Sequence, residues 1–170
     1  MTLTIRPAFI EGMSRAAQTV CIVTTGGPGG RGGVTVSTLT SVSADTDGPT
    51  LLICVHHTAS AAPLILTNAR FCVNILRADQ SHIADAFAGR RKDLVPDKFE
   101  VAAWSTMPSG ALRLSDPLVA FDCKLVEHSR VGTHDIFLAE VQDVHLGTQS
   151  QPLIYAHRTY GFPTLLSPTK

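Results

Sequence analysis

Residues 118–145 have the sequence LVAFDCKLVEHSRVGTHDIFLAEVQDVH, and this stretch decides the fold class. Its two arms, residues 118–128 and 134–145, alternate apolar and polar side chains, which is typical of strands that bury one face. Residues 129–133 join the arms and include Gly132, a residue suited to a tight turn. Two alternating runs around a short glycine-containing link predict an antiparallel β-hairpin.

Further strands are predicted on both sides of this hairpin. The candidate segments are short and rich in β-branched or aliphatic residues, and they are residues 19–25, 34–43, 50–56, 70–76 and 152–157. Six or seven strands at antiparallel-compatible spacing predict a mainly β chain with short α-helices. The expected architecture is an antiparallel barrel rather than a doubly wound parallel sheet.

The helices predicted between these strands are short. Helical spacing begins at Pro7 and continues to Ala17. A second helix fits around Pro63 within residues 59–68, and a third is predicted over residues 81–88, where Gly89 can end it. Residues 90–115 are polar, contain two prolines and show no clear period, so they predict a long ordered surface loop.

Composition sets limits on size and partners. The 170 residues suit a single domain over residues 1–170, since one hydrophobic core typically serves roughly 100–200 residues. Fourteen Lys and Arg balance fourteen Asp and Glu, so no positive field favours nucleic acid or an anionic membrane as a partner. A hydrophobic fraction of 44% at zero net charge favours burial of apolar surface against a second subunit, and a homodimer is expected.

Location and redox state follow from the apolar segments. No apolar run approaches the ~20 residues that span a bilayer, and the N-terminus lacks a basic start followed by a hydrophobic signal core, so a cytoplasmic protein is expected. The cysteines are far apart and each lies in an apolar stretch. They are predicted to be reduced core thiols rather than disulfides or zinc ligands: Cys21, Cys54, Cys72 and Cys123.

A glycine-rich segment, residues 27–32 (GPGGRG), matches the dinucleotide-binding fingerprint in form. In that fingerprint the last glycine opens a helix whose N–H groups hold a pyrophosphate. Here the chain continues into the β-branched sequence VTVSTLTSVS, so a flexible hairpin loop is predicted instead.

The strand predicted over residues 34–43 carries an excess of hydroxyl groups. They belong to Thr35, Ser37, Thr40, Ser41 and Ser43. Aimed donors along an extended strand suit the polar edge of a flat heteroaromatic ring and its phosphate tail. A solvated strand face with threonines chosen for β-propensity explains the same pattern equally well.

Other catalytic patterns are weak. His56 and His57 are adjacent on a predicted strand, where neighbours point to opposite faces, so they do not chelate one ion easily. The chain has no G-x-S-x-G elbow, and its cysteines lie where a thiolate is disfavoured. His134 begins a predicted strand after Gly132 and Thr133, and it is either a solvated turn residue or a side chain reaching out from the barrel rim.

Taken together, these stretches resemble the flavin reductase family of FMN-binding split barrels, the small reductase components of two-component flavin-dependent monooxygenases. The resemblance covers most of the chain in order. Its segments are FIEGMSRAAQTVCIVTT, VTVSTLTSVSAD, TLLICVHHTAS, RFCVNILRADQSHIADAFAG, DKFE, VAFDCKLVEHSRVGTHDIFLAEV and PLIYAHRTYG. The family usually shows a Gly-Asp-His triplet in the hairpin, whereas this chain has Thr133 in place of the aspartate.

The resemblance implies a set of site residues. The strand that would line the isoalloxazine and ribityl chain contributes Val36, Ser37, Thr38, Leu39, Thr40, Ser41 and Ser43. Cys54, Val55, His56 and Ser60 would border the flavin, with Ser60 near the phosphate. Lys98 would balance the phosphate charge, the catalytic His134 would meet the nicotinamide, and Arg158 and Tyr160 would close the site.

The activity implied is reduction of FMN or FAD by NADH or NADPH, with the reduced flavin supplied to a larger oxygenase partner. Direct hydride transfer needs orientation more than acid–base groups, and no metal is expected. Three alternatives stay open: a split-barrel reductase acting on another substrate such as a corrinoid, a non-enzymatic flavin-binding protein, and a purely structural dimeric barrel. The choices between FMN and FAD, between NADH and NADPH, and between bound and diffusible flavin are left open.

Overall fold

The computed structural model describes residues 4–90, 95–164 and 166 of the chain. Within them the α-helices are α1 (Ile5–Arg15), α2 (Ala61–Asn68) and α3 (Ser81–Phe87). The first strands are β1 (Gln18–Thr19), β2 (Cys21–Thr25), β3 (Gly32–Val36), β4 (Leu39–Ser43), β5 (Thr50–His56) and β6 (Arg70–Ile75). The later strands are β7 (Trp104–Thr106), β8 (Leu112–Leu114), β9 (Val119–Val131), β10 (His134–Leu146), β11 (Ile154–Ala156) and β12 (Thr159–Gly161).

A large antiparallel sheet forms the body of the described structure. Its strand order is β3-β2-β6-β9-β10-β5-β4, and each neighbouring pair is antiparallel. Two small sheets accompany it, β1-β11-β12 and β7-β8. The end strands β3 and β4 pair only with β2 and β5, so the barrel is not closed. The predicted mainly β split barrel is confirmed.

The central hairpin of β9 and β10 agrees with the sequence prediction but is longer. Pairing continues to Val131 opposite His134, so the turn consists of Gly132 and Thr133 alone. Gly132 has φ +58, a left-handed conformation that glycine adopts without steric cost. The predicted link over residues 129–133 was too long, because the exposed end of β9 carries no apolar alternation.

The prediction of a single strand over residues 34–43 is wrong. The chain forms β3, leaves the strand conformation at Ser37 and Thr38, and then forms β4 at the opposite edge of the sheet. β3 contains buried residues, whereas no residue of β4 is fully buried, and the sequence alternation does not mark the break between the two strands. Periodicity reports burial, not which neighbour a strand pairs with.

The prediction of a long loop over residues 90–115 is also wrong in part. Residues 91–94 of this range lie outside the described residues. A 3₁₀ helix spans Lys98–Val101, and β7 and β8 form a hairpin. This segment is ordered by an aromatic cluster, since the Phe99 ring lies 5.0 Å from that of Phe87 and 5.1 Å from that of Trp104. Such packing between distant residues leaves no period in the sequence.

The remaining predicted elements differ only at their ends. The strand predicted at residues 19–25 breaks at Val20 into β1 and β2, and the one at residues 152–157 shortens to β11. A turn through His157 and Arg158, both at positive φ, then leads into β12, which the sequence did not predict. The three predicted helices are confirmed with shifted bounds.

The core lies on the inner face of the large sheet and under α3. Phe71 and Phe137 are fully buried there, with ring centroids 6.5 Å apart. All four cysteines are free, as predicted, but Cys54 is only partly buried and does not belong to the core. Burial raises the pKa of the Cys21 thiol to about 12. No α-helix among the described residues is both long enough and apolar enough to cross a membrane.

Asn68, at the end of α2, fixes the glycine-rich loop between β2 and β3. Its Oδ1 accepts a hydrogen bond from the Gly29 N–H at 2.7 Å. Its Nδ2 donates to Thr25 Oγ1 and to the Gly30 carbonyl oxygen, each at 3.0 Å. The predicted hairpin loop is therefore confirmed, but a buried side chain holds its shape.

We expect Asn68→Ala to lower the free energy of unfolding by about 1–3 kcal/mol, because it leaves buried loop groups without partners. Urea unfolding followed by Trp104 fluorescence measures this change. Gln142→Ala is the control, since it removes an exposed carboxamide and should cost under about 0.5 kcal/mol. Equal effects of the two variants would contradict the role given to Asn68.

Candidate functional site

The main cleft of the described structure has a volume of about 890 Å³. It lies between β3, the turn before α2, the end of α3 and the segment that leads into the 3₁₀ helix at Lys98–Val101. Ligand pockets in proteins typically measure roughly 300–1,000 Å³. The cleft is therefore large enough for a nucleotide-sized molecule.

Two basic side chains line this cleft. Lys98 Nζ donates to the Gly33 carbonyl oxygen at 2.5 Å and lies 5.4 Å from the Phe87 ring centroid. The Arg31 guanidinium carbon lies 4.4 Å from the Phe99 ring centroid, and Nη2 is 2.6 Å from Asp97 Oδ2. Two cations in one cleft favour an anionic ligand.

The turn before α2 adds hydroxyl groups to the same wall. Thr58 and Ser60 line the cleft, and Ser60 is the N-cap residue of α2. The Ser60 hydroxyl makes no capping hydrogen bond, and the residue is exposed. A helix start together with Arg31 and Lys98 suits a phosphate group.

A smaller pocket of about 200 Å³ adjoins the main cleft and shares Thr35 and Ala88 with it. Val36, Ser37 and Tyr160 line this pocket. The Tyr160 hydroxyl donates to Asp85 Oδ1 at 2.9 Å. Burial and the adjacent carboxylate raise the pKa of Tyr160 to about 12, so it stays a neutral donor at pH 7.

The outer face of the sheet beside the cleft carries a second group of predicted residues. His134 lies directly opposite His56 in the β10–β5 ladder, and the ring centroids are 5.1 Å apart. Thr133 Oγ1 lies 3.1 Å from His134 Nδ1, and Thr58 Oγ1 lies 2.8 Å from His56 Nδ1. Through Thr58, this face joins the wall of the main cleft.

Cys54 also lies on this face, two residues before His56 in β5, and is half-buried. Burial raises the pKa of its thiol, and a hydrogen bond with Thr38 offsets part of the rise. Thr40, paired with Leu52, shares the same face and is exposed. Ser41 is exposed, whereas Leu39 and Ser43 are half-buried.

Some of the predicted residues point elsewhere, and Leu39 packs against the core. Val55 is 1% exposed and packs in the core, so only its backbone can face a ligand. Arg158 Nη2 lies 2.8 Å from Glu11 Oε2, and the adjacent His157 N–H donates to the Ser14 carbonyl oxygen. Arg158 therefore ties α1 to the turn between β11 and β12, and it lines neither pocket.

Asp135 points to the inner face, opposite to His134. Its carboxylate is fully buried and accepts hydrogen bonds from Arg130 Nε at 2.7 Å and Nη2 at 3.1 Å. His128 Nε2 lies 3.0 Å from the same carboxylate. The Arg130 guanidinium, with a smaller contribution from His128, lowers the pKa of Asp135 to about 2.

Sequence reasoning missed Arg31 and Asp97. The glycine-rich loop leads into a strand, as predicted, but the sequence did not mark Arg31 within it as a site residue. A lone basic residue between glycines, next to a strand that carries site residues, was the available signal. Asp97 could not be recognised, because its contact with Arg31 joins residues 66 positions apart.

The sequence of this chain matches a known protein family. The family model described as "Flavin reductase like domain" matches residues 13–163. The chain belongs to the flavin reductase family. The resemblance stated from the sequence is thereby confirmed.

Individual flavin reductases match over most of their length. A relative named FMN reductase (NADH) RutF, from Methylorubrum extorquens strain AM1, is 41% identical over 153 residues, covering 90% of this chain and 74% of the relative. The crystal structure of a candidate flavin reductase from Haemophilus somnus 129PT superposes with a TM-score of 0.85 at 35% identity, covering 95% and 100% of the two chains. BorF, the flavin reductase component of a bacterial two-component tryptophan halogenase, superposes with a TM-score of 0.81 at 28% identity, covering 92% and 97%.

We expect the pH dependence of stability to depend on Asp135. Because its pKa in the folded protein lies below its ordinary value of about 4, the ionised carboxylate stabilises the fold above about pH 4. That contribution is lost as the pH falls towards about 2. Asp135→Asn should reduce stability at pH 7 by about 1–3 kcal/mol and flatten the decline between pH 4 and 2.

Urea unfolding across this pH range measures both effects. Asp143→Asn is the matched control, since Asp143 lies on the same strand but is exposed. An unchanged slope in Asp135→Asn would mean that the carboxylate is no better stabilised in the folded protein than in the unfolded chain.

Proposed function

We propose that this protein uses NADH to reduce a flavin and releases the reduced flavin to a partner oxygenase. The observation that carries the proposal is the basic cleft, with Arg31 and Lys98 in its wall, beside the paired imidazoles of His56 and His134. Flavin reductase family membership, and 41% identity to a relative named FMN reductase (NADH), support this activity.

The residues of the cleft fit a flavin phosphate. Arg31, Lys98, Thr58 and Ser60 provide cationic and hydroxyl donors around one volume. The cleft continues into the small pocket at Val36 and Ser37, where an extended ligand can follow β3. In this arrangement the start of α2 would hold the phosphate, because the N–H groups and the helix dipole there favour negative charge.

A bound flavin supplies a ring that accepts hydride from the nicotinamide. The chain's contribution is to orient the two molecules and to exclude water between them. His134 orients the nicotinamide on the outer face of the sheet. Thr133 Oγ1 lies within hydrogen-bond distance of His134 Nδ1 and would hold the imidazole from the position where the family usually has an aspartate.

The partner oxygenase is inferred from relatives of this chain. BorF is named as the flavin reductase component of a two-component halogenase. A reduced flavin that leaves its reductase is consumed by oxygen in solution unless a second protein takes it up. We therefore propose an oxygenase component as the receiver.

We also propose that the active form is a homodimer, and α1 supports this. None of its residues is buried, and Ile5, Phe9 and Met13 form a stripe at i, i+4 and i+8 that is 89%, 66% and 43% exposed. Its polar side is already occupied by the Glu11–Arg158 pair. We propose that a second copy of the chain covers this stripe. The zero net charge and the 44% hydrophobic composition favour such self-association.

The activity is tested by following loss of NADH absorbance with purified protein, with and without FMN, FAD or riboflavin. We expect oxidation only when flavin is present, saturating in flavin. His134→Ala should lower kcat by about ten- to hundredfold, because it removes orientation, and should change the flavin Kd less than threefold. His145→Ala, at the far end of β10, is the matched control.

Flavin binding without NADH oxidation would identify a non-enzymatic flavin-binding protein and would contradict the proposed reductase activity. A large loss of flavin affinity in His134→Ala, with kcat kept, would make His134 a flavin ligand instead.

We expect Phe9→Glu combined with Met13→Glu to convert the dimer into a monomer, because two carboxylates then face the apolar contact. Sedimentation velocity measures the mass of each form. Glu100→Gln, an exposed change far from α1 in sequence, should leave the mass unchanged. A wild-type protein that sediments as a monomer at micromolar concentration would exclude this interface.

A further inference from the structure

Arg31 and Asp97 form an ion pair within the main cleft. Arg31 Nη2 lies 2.6 Å from Asp97 Oδ2, and the side chains are 51% and 41% exposed. The guanidinium also packs over the Phe99 ring at 4.4 Å. Arg31 is therefore held in one place by two contacts, yet it stays accessible to a ligand.

The described residues that line the cleft include a carboxylate as well as the two cations that suit a phosphate. Arg31 and Lys98 carry two positive charges, and Asp97 carries one negative charge. A phosphate monoester carries about −1.5 to −2 at pH 7. Asp97 thus offsets the charge of Arg31 and repels the incoming anion.

The negative charge of Asp97 can be separated from its structural role. Its second oxygen, Oδ1, accepts a hydrogen bond from the Phe99 N–H at 3.0 Å and caps the 3₁₀ helix at Lys98–Val101. Asparagine and serine cap helices as well as aspartate does. The fold needs an acceptor at this position, but it does not need a carboxylate.

The ion pair can yield to a ligand. Exposed ion pairs contribute little net stability, so a phosphate can displace the carboxylate from Arg31 at small cost. Phe99 then keeps the guanidinium in the cleft. An aspartate placed here weakens phosphate binding without preventing it.

We propose that Asp97 is a specificity-determining residue that lowers the affinity of the cleft for phosphorylated flavin by competing for Arg31. Bound flavin then exchanges with free flavin in solution instead of staying in the cleft. A reductase that releases its product requires such exchange. The inference rests on the proposed function, because the ligand is taken to be a flavin phosphate.

The test compares Kd values for FMN and riboflavin, measured by quenching of flavin fluorescence in the absence of NADH. Asp97→Asn should tighten FMN binding by about three- to tenfold and leave riboflavin within twofold, since only FMN carries the phosphate. FMN release in stopped flow should slow by a similar factor. Raising the salt concentration should reduce the gain.

Two further variants complete the design. Arg31→Gln should weaken FMN binding at least about fivefold, and in that background Asp97→Asn should have a smaller effect, because the pair is already broken. Glu100→Gln removes a carboxylate from the same 3₁₀ helix outside the cleft lining and should change neither Kd. Asp97→Ser keeps a capping hydroxyl and replaces Asp97→Asn if that variant does not fold.

The outcomes separate this inference from the proposed function. A wild-type protein that binds neither flavin contradicts the proposed function itself. Flavin binding that is unchanged or weakened by Asp97→Asn overturns the inference, and weakening would mean that Asp97 positions Arg31 for the phosphate. Equal tightening for riboflavin and FMN would also overturn it, because the effect would not involve the phosphate.

Discussion

The antiparallel pairing of β9 with β10 is the constraint on which the rest of the structure depends. β6 extends the sheet from β9, and β5 extends it from β10, so the hairpin joins the two halves of the split barrel. Its register also places His134 opposite His56 and turns Asp135 into the interior. A slip of one residue would exchange these two faces, and the ion pair between the buried Asp135 and the exposed Arg130 opposes such a slip.

The cleft forms where local segments from distant parts of the chain meet this sheet. Asn68 shapes the loop that carries Arg31, and Phe87 packs against Phe99 and orders the segment that carries Asp97 and Lys98. Gly33 permits this contact, since a Cβ atom there would lie 2.6 Å from the Phe87 ring. Packing, rather than any continuous motif, therefore assembles the basic wall.

The proposed reaction requires the protein both to orient the flavin and the nicotinamide and to release the reduced flavin. A cleft with more uncompensated positive charge would hold a phosphorylated flavin longer, whereas a reductase that supplies another enzyme must release it. We propose that the pair of Arg31 and Asp97 lowers the affinity of the cleft for the phosphate and so favours release. His134, on the sheet face beside the cleft and within hydrogen-bond distance of Thr133, would then orient the nicotinamide for each flavin that arrives.

The sequence by itself determined the elements whose signals are local. Alternation over residues 118–145 specified the hairpin, the glycine-rich loop followed by a β-branched run specified a β-turn-β unit, and seven ordered segments specified the family. Only the tertiary structure decided that the run over residues 34–43 divides between opposite sheet edges, and that Arg31 meets Asp97. Periodicity records which face of a strand is buried, but it does not record its neighbour or contacts between residues far apart in the chain.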